Sequence, residues 1–385
     1  MRSIVKGIGQ VLSSFGLSCV LLILLALLTW LGTLEQVHSG LFEVQKKYFE
    51  SFFLVHHIGS VSIPLPGANL VMCVLGVNLL LGGIIRLRRS WDTAGVLVVH
   101  LGIVLLLVAS FIKAYHSQEG HLTLYEGQRA NVYESYYRWE VAVGHTLPGG
   151  RVQEFLVPQE DFAQARGPAP AVLESESLPF HLELSHFMPN CRPLPKGPMF
   201  DVAVPVIDGF FLQTQALQKE AEQNVAGAYA AVVGPGGTRT EGVLWGLESG
   251  PWTVDVAGES WTVDLRHERY PMPFTVALDV FTKEEHPRTN MPSKFSSDVT
   301  VTEDDVARPV KIEMNQPLRD EGLVLYQASW GPSNAAPGDP LFSTLSVVRN
   351  PADQLPLYAC IVIAVGLLLH FSRKVLGYMQ SEARR

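Results

Sequence analysis

Four long uncharged runs punctuate the chain: Val11–Leu34, Gly67–Ile85, Ala94–Ile112 and Leu355–Ser372. Each is long enough to cross a hydrocarbon core as a helix, which takes roughly 17–25 apolar residues. Between the third and fourth runs the pattern changes period. Trp252–Val256, Trp261–Leu265 and Phe274–Val280 alternate apolar with polar residues, as half-buried antiparallel strands do, and Leu323–Ser329 and Leu341–Val348 read as further strands. Gln213–Ala230, rich in Ala, Leu, Gln, Lys and Glu ahead of Gly234-Pro-Gly-Gly, predicts one helix; the Pro-rich stretches Gly167–Ala171 and Arg192–Met199 predict loops. Pro179–Phe187 and Pro273–Phe281 share the pattern P-F-x-[LV]-x-L-x-x-F. This echo marks either two copies of one β-unit packed face to face or simply the way strands begin. The expectation is a membrane protein with four transmembrane helices (11–34, 67–85, 94–112 and 355–372) and one large, mainly β extracytoplasmic domain, 114–354, inserted between helices 3 and 4. Residues 1–113 form the first membrane region, and 355–385 the last helix and its tail.

Composition agrees: 47% hydrophobic residues, 17% charged and a mean hydropathy of +0.18 are too apolar for an ordinary soluble protein. Residues 114–354 hold 17 Lys/Arg and 32 Asp/Glu, a net of −15, against a formal −8 for the whole chain. An acidic body on a basic, apolar frame argues against nucleic acid. Arg2 and Lys6, then Arg86, Arg88 and Arg89, then Arg373, Lys374, Arg384 and Arg385 all fall on one side of a four-helix topology. By the enrichment of cytoplasmic loops in basic residues, both termini are expected in the cytoplasm, the first run being an uncleaved anchor in the inner membrane. Lys46, Lys47 and Lys113 weigh slightly the other way. Three of the four cysteines (Cys19, Cys73, Cys360) sit in apolar runs and only Cys191 in the polar region, so no disulfide framework, zinc cluster or C-x-x-C pair can form.

Signatures for nucleophilic hydrolysis, zinc catalysis and nucleotide binding are missing, as is C-x-x-C-H. What remains is histidine in the membrane. His100 lies six residues inside the third run, between Gly95 and Gly102. An imidazole at that depth is costly unless it ligates something or is bonded to another helix's backbone. His370, near the cytoplasmic end of the fourth run, is a second candidate; two neutral imidazoles on facing helices can hold a haem iron, whereas a boundary histidine can also reach the headgroups. The remaining histidines, His56, His57, His116, His121 and His267 among them, read as loop, turn or strand residues without a role.

The chain resembles the ResB family, also called CcsB, the membrane-anchored subunit of system II cytochrome c maturation. The resemblance rests on Leu31-Gly-Thr, Gln36, Gly40, Val44, Tyr48 and Ser51; on Asn78, Arg86 and His100-Leu-Gly102; and on Gly120, Leu124 and Glu126-Gly127. Its most specific part is late: Pro273-Phe274, Pro292, Phe295-Ser-Ser, Asn315-Gln-Pro-Leu318, Gly322 and Tyr326-Gln-Ala-Ser329. The resemblance implies work with a ResC/CcsA-type partner that carries W-x-W-D, moving haem outward and attaching it to apocytochrome c thiols, kept reduced by thioredoxin-like proteins. It places the family's intramembrane haem ligand on His100 and gives His370 little. It also implies a subunit that is non-catalytic alone. This chain is short for the family and has no W-x-W-D. Two other readings remain open: a b-haem electron-transfer subunit with His100 and His370 as axial pair, and a membrane-tethered binding or sensor module with a structural His100.

Overall fold

The computed structural model describes residues 2–198, 200–288, 292–332, 335–336 and 339–384. It divides into two units, residues 1–118 with 349–385, and residues 119–348. In the first, α1 (Arg2–Leu12) is separated from α2 (Phe15–Ser39) by Ser13 and Ser14. Ser14 caps α2, its hydroxyl accepting from the Leu17 amide. The break also leaves carbonyls open, and Asn78 from a neighbouring helix fills them, donating to Leu12 O at 2.7 Å and Ser14 O at 3.0 Å while accepting from Ser18 Oγ at 2.6 Å. The first spanning helix therefore starts at Phe15 rather than Val11, a shift set by polar capping inside an apolar run. It also runs on to Ser39, into what reads in the sequence as loop. After it come α3 (Leu41–Val44), a π-helical turn (Gln45–Glu50) and the hairpin of β1 (Phe53–Ile58) and β2 (Val61–Pro66). The second span is α4 (Ala68–Asn78), continued by π-helical Leu79–Ile85, and the third is α5 (Ala94–His116).

The second unit is almost all strand: β3 (Gln118–Tyr125), β4 (Arg129–Thr146), β5 (Val152–Pro158), the turn α6 (Gln159–Phe162), β6 (Ala171–Leu173), β7 (His181–Met188), β8 (Cys191–Pro195), β9 (Phe210–Thr214), β10 (Gly227–Val233), β11 (Arg239–Trp245), β12 (Trp252–Val256), β13 (Glu259–Glu285), β14 (Pro292–Glu303), β15 (Val306–Glu313), β16 (Leu318–Asp320), β17 (Leu323–Gly331) and β18 (Phe342–Arg349). The main sheet runs β15-β14-β13-β4-β3-β18-β17-β16, with β12 on β13 and β5 on β4; a second runs β11-β10-β7-β6, and β8 pairs β9. Two cores result. In one, Val141, Val143, Val263 and Leu265 of the main sheet pack against Leu182, Leu184, Ala228, Ala230 and Val232 of the four-stranded sheet and Phe180 just ahead of β7. In the other, Leu122, Phe274, Val276, Leu278, Val299, Ile312, Leu325 and Val347 face one another. β4 and β13 run through both.

Several expectations are corrected here. Gln213–Ala230 is not helical: it holds the end of β9, a loop, a short 3-10 turn at Ala221–Gln223 and the start of β10. Ala226, Ala228, Ala230 and Ala231 are at most 3% exposed, and β10 is the strand between β7 and β11. Alanine there gives a flat strand that lets two sheets approach, and that packing outweighs its helix propensity. Trp261–Leu265 and Phe274–Val280 belong to one strand, β13. Pro271 and Pro273 do not end it because they fall where its pairing with β4 slips, between Pro271↔Val132 and Val276↔Ala130. Arg192–Pro195 is strand β8 rather than loop, its prolines tolerated in a two-stranded ribbon; Met199 lies outside the described residues. The P-F echo marks the same inward positions twice, Phe180, Leu182, Leu184 and Phe187 in one core and Phe274, Val276, Leu278 and Phe281 in the other. The two strands thus feed separate cores instead of facing each other.

Inside the first core's sheet, Arg266 bridges two carboxylates, Glu140 at 2.9 Å and Glu154 at 2.6 Å. Burial holds the Glu140 carboxyl above its ordinary range despite the guanidinium beside it, while the same guanidinium lowers the less buried Glu154.

The chain then returns as α7 (Leu355–Glu382), antiparallel to α5. Small residues recur every seven on both helices, Gly95, Gly102 and Ala109 on α5 and Ala359 and Gly366 on α7, and all are buried. A Cβ at Gly102 would stand 3.1 Å from the Ala359 carbonyl oxygen, and one at Gly366 2.7 Å from the Val99 amide nitrogen. Close backbone approach is how helices associate where there is no hydrophobic drive between them.

Candidate functional site

His100 leaves α5 on a face different from the glycine seam and meets the π-helical end of the second span. Its Nδ1 lies 2.8 Å from the carbonyl oxygen of Gly83. That carbonyl lies in the last turn of its helix, where oxygens have no intrahelical amide to accept from. A carbonyl can only accept, so the bond fixes the proton on Nδ1 and leaves the Nε2 lone pair free. The close approach requires glycine: a Cβ at Gly83 would stand 2.8 Å from His100 Nδ1. The backbone-bonded and ligand readings of His100 thus use different nitrogens, and both can hold at once.

His370 is placed elsewhere. The Gly95 Cβ position lies 2.6 Å from the His370 amide nitrogen, so this stretch of α7 covers the Gly95 face of α5. At about 3.6 residues per turn, His100 is roughly 140° around α5 from Gly95. The two histidines therefore address different sides of the helix. His370 packs against Phe371, and its Nδ1 is buried with no hydrogen-bond partner among the described residues.

A polar cluster forms where the first span gives way to the π-turn and hairpin. Tyr48, 0% exposed, donates its hydroxyl to Glu35 Oε2 at 2.6 Å and lies 2.5 Å from His56 Nδ1, while Lys47 Nζ pairs with Glu35 Oε1 at 2.6 Å. His56, a loop residue in the sequence reading, is half-buried here; the available signal was an acid, Glu35, directly after the apolar run and an aromatic turn further on. His57, by contrast, is exposed and touches only Ser62 among the described residues.

In the β unit the sequence signature resolves into packing. Ser297, 0% exposed, donates to Gln327 Oε1 at 2.6 Å and meets Ser343 at 2.8 Å, tying β14, β17 and β18 together. Phe281, Phe295 and Trp330 stack beside them, with centroids 5.9–6.3 Å apart. Residues 253–339 match the ResB-like family. Among the described residues the chain has four helices long and apolar enough to cross a membrane, with the large β domain between the third and fourth, and the ResB-like match falls within that domain. The ResB-like stretch runs from β12 past β17 and holds Ser297 and Gln327 of the serine–glutamine clamp, whereas Ser343 and His100 lie outside it. The family points to cytochrome c biogenesis. No curated protein matches the chain.

Proposed function

We propose that this protein is the haem-handling subunit of a cytochrome c synthase, with His100 as an axial ligand to haem in transit. The observation that carries the reading is the His100–Gly83 bond, which holds the imidazole in the tautomer that offers Nε2 to iron. Haem is cargo: the chain's task is to give it a defined stop, and axial nitrogen tunes the iron's redox state. His100 binds, the Gly83 carbonyl orients it, and the surrounding helices exclude water. A ResC/CcsA-type partner carrying W-x-W-D completes the covalent step, and the β domain, net −15, steers a basic apocytochrome toward the complex. Both termini are cytoplasmic and the β domain extracytoplasmic in this reading, following the three basic clusters.

The second reading, a b-haem electron-transfer subunit, needs His100 and His370 as axial pair, and their placement on different sides of α5 disfavours it. The deciding experiment purifies the protein with and without its partner and records the haem spectrum of wild type, His100→Ala and His370→Ala. His100→Ala should strip most haem and regain part of it with added imidazole, and His370→Ala should be mild. Unchanged haem in His100→Ala overturns the assignment, and equal loss in both variants favours the paired-histidine subunit.

A further inference from the structure

Two imidazoles of the β domain meet where β4 and β13 pass from one core to the other. His121 of β3 and His267 of β13 have ring centroids 6.2 Å apart, their planes nearly perpendicular. Each is held by an aromatic wall, His121 stacked on Tyr136 at 5.2 Å and His267 on Trp139 at 4.0 Å. The Nδ1 atoms of both are buried and have no hydrogen-bond partner among the described residues. For His267 the tautomer follows: its ring hydrogen-bonds the backbone of Arg138, and with Nδ1 unpartnered that donor is Nε2–H. Its Nδ1 therefore presents a bare lone pair to the interior, and a buried acceptor without a donor is costly.

The backbone is shaped for this. Between the pairings Glu134↔Arg269 and Trp139↔His267, β4 carries extra residues that leave the ladder. The excursion is fixed by Ser135 Oγ, which accepts from the amides of Tyr137 and Arg138. It delivers Tyr136 to the His121 ring. Without it, β4 would pair straight through and His121 would lack its wall, whereas Trp139 stands opposite His267 in the ladder itself. Glu134, paired with Arg269 at 3.2 Å, acts on both imidazoles, and Glu119 and Glu222 act on Tyr136.

We propose that His121 and His267 form a two-nitrogen site for a first-row transition-metal cation of the imidazole-binding class, Cu2+ or Zn2+. Such ions bond imidazole nitrogen at about 2.0 Å, so two rings on one ion stand roughly 5 Å apart between centroids at a tetrahedral angle and roughly 6 Å apart when they approach from opposite sides, as on tetragonal Cu2+. The second is the spacing here. Two ligands from this chain leave positions on the ion open, to be filled by water or by a donor from a bound molecule, and the bare imidazole lone pair favours a cation over any anion. The site is independent of the haem reading: it uses neither His100 nor the membrane helices.

The test is direct metal binding by the full-length protein in detergent. Purified chain is stripped with chelator, loaded with Cu2+ or Zn2+, and counted by elemental analysis, with His121→Gln, His267→Gln and the exposed-histidine control His57→Gln alongside. One ion per chain is expected in wild type and in the control, with affinity falling at least tenfold in either glutamine variant, and the Cu2+ resonance spectrum should carry nitrogen hyperfine structure from imidazole. A wild type that binds no stoichiometric ion, or variants that bind as wild type does, overturns the site and leaves a water between two structural histidines. Should the variants unfold, the wild-type Cu2+ spectrum decides alone: absence of imidazole hyperfine structure overturns the proposal.

Discussion

Gly95 on α5 and His370 on α7 touch through their backbones: a side-chain carbon at 95 would stand 2.6 Å from the His370 nitrogen and 2.7 Å from the Gly366 carbonyl oxygen. Neither obstacle is the tip of a flexible side chain, so no rotamer change can make room. Gly95→Leu should force the pair apart and lower the thermal midpoint in detergent, with overpacking costing about 1–3 kcal/mol. Gly377→Leu, where nothing lies within 4 Å, should leave the midpoint unchanged.

Gly83→Ala tests the orientation of His100 without touching the imidazole. The new methyl would meet His100 Nδ1 at 2.8 Å and displace it, so the haem-to-protein ratio should fall well below wild type while helix content by circular dichroism stays the same. A wild-type ratio would show that the carbonyl contact does not orient a ligand.

Removing Arg266 strands a carboxylate. Glu140 is 3% exposed, and Arg266→Ala should cost about 3–5 kcal/mol in urea unfolding of the β domain. The double variant Arg266→Met with Glu140→Leu, which removes both charges, should recover a large part of that loss.

Burial holds both His121 and His267 below the ordinary imidazole value of 6.5, each partly offset by Glu134. In the window just below pH 6.5 the unfolded chain therefore takes up protons that the metal-free native chain refuses. The stability these groups contribute is fully present above that pH and falls as pH drops through the window. Urea midpoints at pH 7.5 and 5.5 should show the drop, and it should shrink in the His121→Gln, His267→Gln double variant.

Cys191 is 3% exposed and its thiol is pushed up to about 12 by burial. Iodoacetamide at pH 8 should leave it unmodified in the native protein and alkylate it in denaturant, read by mass spectrometry.

The four spans and the β domain were legible because their signals are local: long uncharged runs, and alternation along Trp252–Val256. The start of the first span was hidden because Asn78, more than sixty residues away, caps the break at Ser13–Ser14. The helix expected over Gln213–Ala230 failed for the same kind of reason, since only the neighbouring sheets make those alanines a strand. At the site, His100 stood out because an imidazole in an apolar run is conspicuous. Its Gly83 partner did not, since the contact depends on a π-helical turn that shifts the backbone register. His121 and His267 were invisible for a further reason: they lie 146 residues apart in unremarkable strands and meet only through the geometry of β4.

Because β4 and β13 each thread both cores, the β domain has no internal seam. The ResB-like stretch, 253–339, takes all of β13 but leaves behind β4, which pairs along one edge of β13. A chain cut to those residues would expose that edge and half of each core to water, inviting intermolecular strand pairing. The recognisable segment is thus a family hallmark without being an autonomous folding unit. Amide exchange should find the two cores opening together, with β13 among the last strands to lose protection.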